Sequence, residues 1–514
     1  MEENLTIGEP DIEIQLTSRQ KYGLAALLIG VLLSRLPFRA ELPFGLDSIQ
    51  LVLALDHFDV RLHQPHPPGY FLFVMAGRLS RLIFPDANSA LVFLNIAFSG
   101  MAVWLVFLLS RRMFGVEHAF YSAIFMATSP LFWHHGEVAL SNMADCFLVC
   151  LLALLCWKTV QEGAQWALWS GIVLGVAGGV RQNTLVFLIP FWVFSIRKAD
   201  KKRILTSVAA LLVTCACWYL PMAYLSGGIK EYQSALRDHW TNSNWHGFTL
   251  EWLPFNFVTV CYFILAGMGI GSIVLFVGAL LYVDQHRRTK GWCSEKLRFF
   301  CWWILPPLSF FLFVYSHPIQ TGHSLIYLPV LFMLLPAAAK WLAGSRHRLL
   351  LLTLVGLNLV TFLFLNTPVS VNRIRQYESD VRSTVQLIRE NCPPGNTILL
   401  NFDLMFVGFR DFMFHLPEYH SYQPRIYTLN GRPLLFSGLE RKTYQVDSIS
   451  LGPDVKYFVL YADEVLRDPT YLQGVQLDKF PNGQFLTSST GLRFFRANVK
   501  DLHMLFPKIP LKLS

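Results

Sequence analysis

The feature that most restricts the fold of this chain is a succession of apolar stretches, most of them near the length that crosses a bilayer's hydrocarbon core. They fall near residues 22–38, 89–110, 119–134, 143–157, 166–180, 184–196, 204–225, 255–282, 299–316, 324–342 and 349–366. Hydrophobic residues make up 53% of the 514 and charged ones 15%, whereas soluble domains carry about 25% charged residues. The 42 Phe and 14 Trp suit lipid-facing and interfacial positions. Composition therefore overrules the two or three soluble domains that length alone suggests. The expected fold is a mainly α polytopic membrane protein of about eleven transmembrane helices, followed by a small C-terminal α/β extracytoplasmic domain.

Interruptions in the apolar pattern carry information. The stretches at 166–180 and 184–196 are short, and Gly178-Gly179 and Arg181-Gln182-Asn183 break them. Half-length or re-entrant backbone is expected there, which is tolerable only against protein or a wet cavity. Gly171, Gly175, Gly178 and Gly179 allow close helix approach. Residues 69–84 (GYFLFVMAGRLSRLIF) would upset the alternation of basic loops if counted as a crossing. They read instead as an amphipathic helix on the outer surface, with Arg78 and Arg81 snorkelling from it.

The net charge of +9 is clustered between the apolar stretches, so it reads as membrane orientation and not as a nucleic-acid surface. Arg111-Arg112, Lys158, the 197–203 run RKADKKR, the 287–298 loop and Arg346/Arg348 mark the cytoplasmic side. The loops at 134–143 and 316–323 hold no Lys or Arg. The N-terminus is expected inside and the C-terminus outside. The polar, acidic start MEENLTIGEPDIEIQLTSRQK does not read as a signal peptide, so 22–38 is expected to remain as an anchor. Eight of nine cysteines precede residue 302, leaving Cys392 alone in the polar tail, with no CxxC or Cys/His metal spacing.

The domain division expected is 1–366 for the membrane part, with 39–84 as its first external loop, and 367–514 for the external part. In the latter, 372–389 reads as an amphipathic helix stopped by Cys392-Pro393-Pro394-Gly395. Strands are expected at 397–402 (TILLNF) and 455–461 (VKYFVLY), with others near 425–429 and 492–497. This domain holds no nucleotide loop, GxSxG or HExxH, and its expected role is to shape an acceptor groove.

The candidate chemistry lies on the outward side. Leu46–Tyr70 holds Asp47, Asp56, Asp59, His57, His63 and His66, closing on Pro65-His66-Pro67-Pro68. Ionisable groups beside a membrane span mark a functional site by default. Asp47 opens an apolar-rich run and reads either as a helix cap or as a proton acceptor, and the two are compatible. His66 reads as a donor into a cavity or as part of a turn that the prolines stiffen. Glu137 follows His134-His135-Gly136 and shares its turn with Asn142. A metal reading of those histidines is weak, because adjacent residues diverge on a helix. No cofactor is expected, though a divalent ion is left open. Arg181 is costly among apolar runs unless an anionic ligand or Glu137 pairs with it. His317, Gln320 and His323, followed by Tyr327, form a donor-rich turn without acids. It suits a phosphate or simply connects two helices. Asp56, His134 and Asn142 are assigned to acceptor or loop support.

These elements occur in a telling order: Asp47 after the first span, His66-Pro67-Pro68-Gly69-Tyr70, Arg111-Arg112-Met113-Phe114-Gly115, then Ser129-Pro130 leading to Gly136-Glu137-Val138-Ala139-Leu140-Ser141-Asn142. The arrangement resembles the GT-C superfamily, on the branch of protein O-mannosyltransferases and their bacterial relatives, over most of 20–340. The resemblance implies an inverting enzyme that moves a sugar from a polyprenyl-phosphate donor on the extracytoplasmic side, in a bacterial inner membrane. Its implied partners are that donor, a protein, glycan or lipid acceptor, and membrane lipids. Asp47 matches the family's first-loop catalytic acid and Glu137 a second-loop acid. Asn142 stands where other relatives have Asp, and Ser48 follows Asp47 where a second acid occurs. The mechanism this suggests makes Asp47 the base for an acceptor hydroxyl, with Arg181 and the His317–His323 turn offsetting phosphate charge. A transporter or a flippase of lipid-linked sugars is the alternative. Broken spans fit a transporter, but no internal repeat pairs the two halves.

Overall fold

The computed structural model of the chain describes residues 16–242, 248, 250–286, 294–314, 317–401, 408–429, 432–463, 477, 480–505 and 511–513. The start MEENLTIGEPDIEIQ, the basic run 287–290, Cys293, Ser316 and Phe402 lie outside the described residues.

Helices dominate the first two thirds: α1 (Ser18–Arg35), α2 (Gly45–Asp56), α3 (Phe71–Ser80), α4 (Ala87–Phe114), α5 (Val116–Thr128), α6 (Pro130–Glu137), α7 (Asn142–Gln161), α8 (Ala167–Val180) and α9 (Gln182–Ile196). They continue as α10 (Lys201–Leu225), α11 (Ile229–Asn242), α12 (Leu253–Met268), α13 (Gly271–His286), α14 (Glu295–Phe313), α15 (Leu328–Ala343), α16 (His347–Phe364), α17 (Val371–Asn391) and α18 (Phe409–His415). Contacts divide the chain into two compact units. The first takes in the described residues of 1–39, 70–224 and 243–373, the second those of 40–69, 225–242 and 374–514. Residues 40–69, expected as a loop of the membrane part, group with 225–242 and the C-terminal region.

In the first unit every apolar stretch carries helix. Among the described residues five helices are long and apolar enough to cross a membrane by length and composition, or six if one bent pair counts as a span. That pair corrects the sequence reading. The expected crossing at 255–282 is two helices, α12 and α13, bent by 109°. Gly269 supplies the break, with φ +53° and ψ −138°, a conformation side chains resist. The short α8 and α9, of 14 and 15 residues, fall below the roughly 20 residues of a full crossing. They meet at Arg181, whose backbone is extended (φ −144°, ψ 112°). The small residues of α8 do what their size allows: a Cβ on Gly171 would meet the Ser207 carbonyl oxygen at 2.5 Å, and one on Gly175 would meet Thr214 at 2.8 Å. The helix expected over 69–84 is α3, of ten residues, and Leu79, Leu82 and Ile83 around its C-terminal end are exposed.

Several basic loop residues of this unit are paired with acids. At one end Glu162 pairs with Arg112 and Lys158, Glu295 with Arg197 and Lys198, and Glu117 with Arg348. Gln161 joins two of these groups through Glu295. Two of the loops expected on the cytoplasmic face, at 158–162 and 197–198, thus meet through Glu295. The opposite end of α7, at Asn142, belongs to the candidate site described below.

The second unit is built on a seven-stranded mixed sheet in the order β4-β3-β2-β1-β6-β8-β7. The strands are β1 (Thr397–Leu400), β2 (His420–Leu429), β3 (Arg432–Leu439), β4 (Lys442–Val446), β5 (Ile449–Leu451), β6 (Tyr457–Tyr461), β7 (Gln484–Thr487), β8 (Arg493–Asn498) and β9 (Leu511–Leu513). β1 runs parallel to both β2 and β6, and β5 pairs with β9 apart from the main sheet. Side-chain alternation sorts the core. Ile398, Leu400, Phe458 and Leu460 pack on one face. Leu399, Val459 and Phe494 pack on the other with Tyr377, Val381 and Ile388 of α17. The four expected strands correspond to β1, β6, β2 and β8.

Candidate functional site

The N-terminal ends of α7 and α9 and the turn before α15 place polar side chains around Arg181 in the first unit. Arg181 is 8% exposed. It donates through Nη1 to Ser141 Oγ at 3.0 Å, and its Nε stands 3.8 Å from Asp145 Oδ2. The Tyr70 ring faces its guanidinium at 5.5 Å. Thr184 donates to Asp145 Oδ1 at 2.6 Å, which fixes the carboxylate. Of the two partners expected for Arg181, an anionic ligand or Glu137, the second is corrected: its carboxylate partner is Asp145, in the first turn of α7. At 3.8 Å the pair lies beyond ordinary hydrogen-bond range, so the guanidinium is partly neutralised and still has donor capacity.

The turn at 317–327 comes to the same place. Gly322 sits so tightly that a Cβ would be 2.5 Å from Asn142 Nδ2 and 2.6 Å from His135 Cε1. His135 is buried and lies in the electrostatic reach of both Arg181 and His323. The His323 ring stacks on Phe311 at 6.0 Å, and His134 meets His135 edge to face at 5.3 Å. Gln320 and Tyr327 each bring a buried oxygen with no hydrogen-bond partner among the described residues. His317 is half-buried, and burial lowers its pKa. Arg181, His135, Asn142, Gly322 and His323 therefore form one cluster, in which a guanidinium stands near imidazole and amide groups. Such a cluster can accept an anion.

Glu137 is in the same unit but differently occupied. It is fully buried, accepts a hydrogen bond from Trp133 Nε1, and attracts the buried Arg35. Arg35 in turn donates to the Ala127 carbonyl at 3.0 Å and lies over the Trp133 ring. A carboxylate held this way ties α1 to α6.

The second unit carries Asp47. Phe44 is the N-cap of α2 and makes no side-chain cap bond, so Asp47 is not the cap residue but lies inside the first turn. Its side chain is 54% exposed, and Oδ1 stands 3.7 Å from His66 Nδ1. Gln50, one turn on and buried, accepts from the His66 backbone N–H at 3.2 Å and lies 2.7 Å from Nδ1. An amide oxygen only accepts, so Nδ1 carries the hydrogen. The His66 donor is thus turned to Gln50 and Asp47, where the sequence reading aimed it into a cavity. His239 of α11 lies 6.0 Å from the His66 ring. Asp59 is buried and bonded to Arg61, whereas Asp56 is exposed at the end of α2. Among the described residues no group of three or more His, Cys, Asp or Glu side chains is placed to hold a metal ion.

Sequence reasoning missed Asp145, Ser141, Thr184, Tyr70 and Gln50 as members of these clusters. Asp145 had a usable signal, as the one acid inside the apolar run MADCFLVCLLALLC. The others are ordinary polar residues whose partners are distant in the chain.

Residues 65–224 match the family model described as dolichyl-phosphate-mannose-protein mannosyltransferase. No curated protein matches the sequence significantly. The fold is similar to that of ArnT from Cupriavidus metallidurans, solved bound to undecaprenyl phosphate, at TM-score 0.58 and 10% identity, over 94% of this chain and 98% of that one. The apo state of the same protein gives 0.57 at 12%, over 93% and 98%. The Archaeoglobus fulgidus oligosaccharyltransferase, tethered with an acceptor peptide, gives 0.50 at 12%, over 92% of this chain and 74% of that one. With a segment similar to the dolichyl-phosphate-mannose-protein mannosyltransferase family running from the proline corner through Arg181 to the end of α10, the chain is an integral membrane protein whose fold is similar to that of ArnT.

Proposed function

We propose that the protein transfers a hexose of mannosyl type from a polyprenyl-phosphate donor to an acceptor hydroxyl on a protein, glycan or lipid, with inversion. The reaction takes place at the extracytoplasmic face of a bacterial inner membrane. The observation that carries this reading is the incompletely neutralised Arg181, set near Ser141, His135 and Asn142 inside the segment that matches the mannosyltransferase family, with His323 of the later turn close to His135. That environment suits a phosphate monoanion that becomes a dianion as it leaves.

The acceptor oxygen attacks the anomeric carbon, the bond from that carbon to the phosphate oxygen breaks, and polyprenyl phosphate departs with the electron pair. The leaving group is acidic enough to go without a proton. The acceptor hydroxyl is the weak partner, and its proton passes to a carboxylate as attack develops. Asp47 is assigned that role because its carboxylate is accessible and lies beside the Nδ1–H of His66. Glu137, committed to Trp133 and Arg35, supports the fold around the site.

The test uses the purified chain in lipid nanodiscs with undecaprenyl phosphate mannose, glucose or galactose and a Ser/Thr peptide, glycan or lipid acceptor. Undecaprenyl phosphate release is expected with one sugar and to stop in Asp47→Asn, while donor binding is retained. Turnover by Asp47→Asn would remove the base assignment. Donor movement across a bilayer without phosphate release would mark a carrier instead.

A further inference from the structure

We propose that the C-terminal domain sets the position of the Asp47 carboxylate, and that Arg410 and Glu378 are the positioning residues through which it does so. The proposal rests on Asp47 acting as the base. Its physical content is that the segment carrying Asp47 is fastened to α17, α18 and the sheet on both sides of that residue.

On the C-terminal side, Ile49 and Leu53 lie four apart on one face of α2 and pack on Phe409, Met413 and Phe436. Beyond them Arg410, fully buried in α18, donates through Nη2 to the Leu62 carbonyl at 2.8 Å and through Nη1 to Thr443. Its guanidinium lies over the Phe409 and Phe436 rings. A guanidinium withdrawn from water is tolerated only when its hydrogens are well used. Here one of them goes to a carbonyl 348 positions away in the chain.

On the N-terminal side, Glu378 of α17 is buried and accepts from the backbone N–H groups of Glu41 at 2.6 Å and Leu42 at 3.4 Å. Arg375 donates to its other oxygen at 2.7 Å, and Arg382 pairs with Glu41. The Phe44 ring rests on Tyr377 at 5.0 Å. Asp47 falls between these anchors while its own side chain stays accessible. Misplacement of a reacting group by about 1 Å can cost about 10²-fold in rate, so fastening of this kind bears directly on turnover.

The experiment compares the full chain with Arg410→Gln, Arg410→Lys and Glu378→Gln. Amide hydrogen exchange is read over 41–63 and, as a control, over β6 and β8. Transfer kinetics are read with the donors and acceptors above. The expected result is faster exchange in 41–63 with unchanged protection of β6 and β8. A fall in kcat of about 10–10²-fold at unchanged donor KM should accompany it, with Arg410→Lys recovering part of the rate. Unchanged exchange in 41–63 overturns the proposal, and so does exchange that rises equally across the sheet. If the wild-type chain transfers no sugar, the enzymatic reading fails, and the exchange data still decide whether these residues hold the segment.

Discussion

Asp145 and Arg181 face each other with a carboxylate oxygen 3.8 Å from the guanidinium Nε, both side chains about 9% exposed. Two buried opposite charges at that distance balance one another without the short bidentate contact that would exhaust the arginine. Arg181→Gln is therefore expected to lower kcat/KM by about 10²-fold or more, with Arg181→Lys intermediate because it keeps the charge but not the fork. Release of undecaprenyl phosphate checks the rate, and donor titration shows whether binding falls with it.

Gly322 is a packing constraint with a testable remedy. Any Cβ there would overlap Asn142 and His135. Gly322→Ala is expected to cost about 1–3 kcal/mol and most of the activity. Adding Asn142→Ala should return part of the thermal stability. A Gly322→Ala protein with wild-type melting and turnover would show that the turn yields without cost.

Glu137 separates charge from shape. Glu137→Ala leaves the buried Arg35 without its opposing charge and Trp133 without its acceptor. A loss of about 3–5 kcal/mol is expected, visible as a lower melting temperature in nanodiscs. Glu137→Gln keeps an acceptor for the indole and should retain most transfer activity. If it loses transfer while melting like wild type, Glu137 belongs to the chemistry after all.

His415 links the C-terminal domain to pH. Burial, with Arg441 and Arg389 nearby, pushes its pKa from 6.5 down to about 4. Between those values the unfolded chain takes up a proton that the folded chain refuses, so stability is full above 6.5 and falls as pH drops towards 4. The loss attributable to this group is on the order of 3 kcal/mol. Limited proteolysis of the full chain at a series of pH values, scored on fragments of the C-terminal domain, should show it. His415→Gln should flatten the dependence.

Hydropathy and residue spacing alone determined the membrane class, the helical stretches and the four strands expected in the C-terminal domain. These follow from local chemistry: an apolar run of bilayer length, or a period of two, needs no distant partner to be read. The interruption at Arg181 was equally legible, because a charge between apolar runs stands out. Tertiary structure alone decided that Asp145 is the partner of Arg181, that Gly269 splits one apolar stretch into two helices, and that residues 40–69 pack with the C-terminal domain. Gln50 beside His66 and Arg410 on the Leu62 carbonyl belong to the same group. Each of these depends on which side chain fills a space left by another element, and spacing along a chain does not encode that when many polar residues could satisfy the same charge.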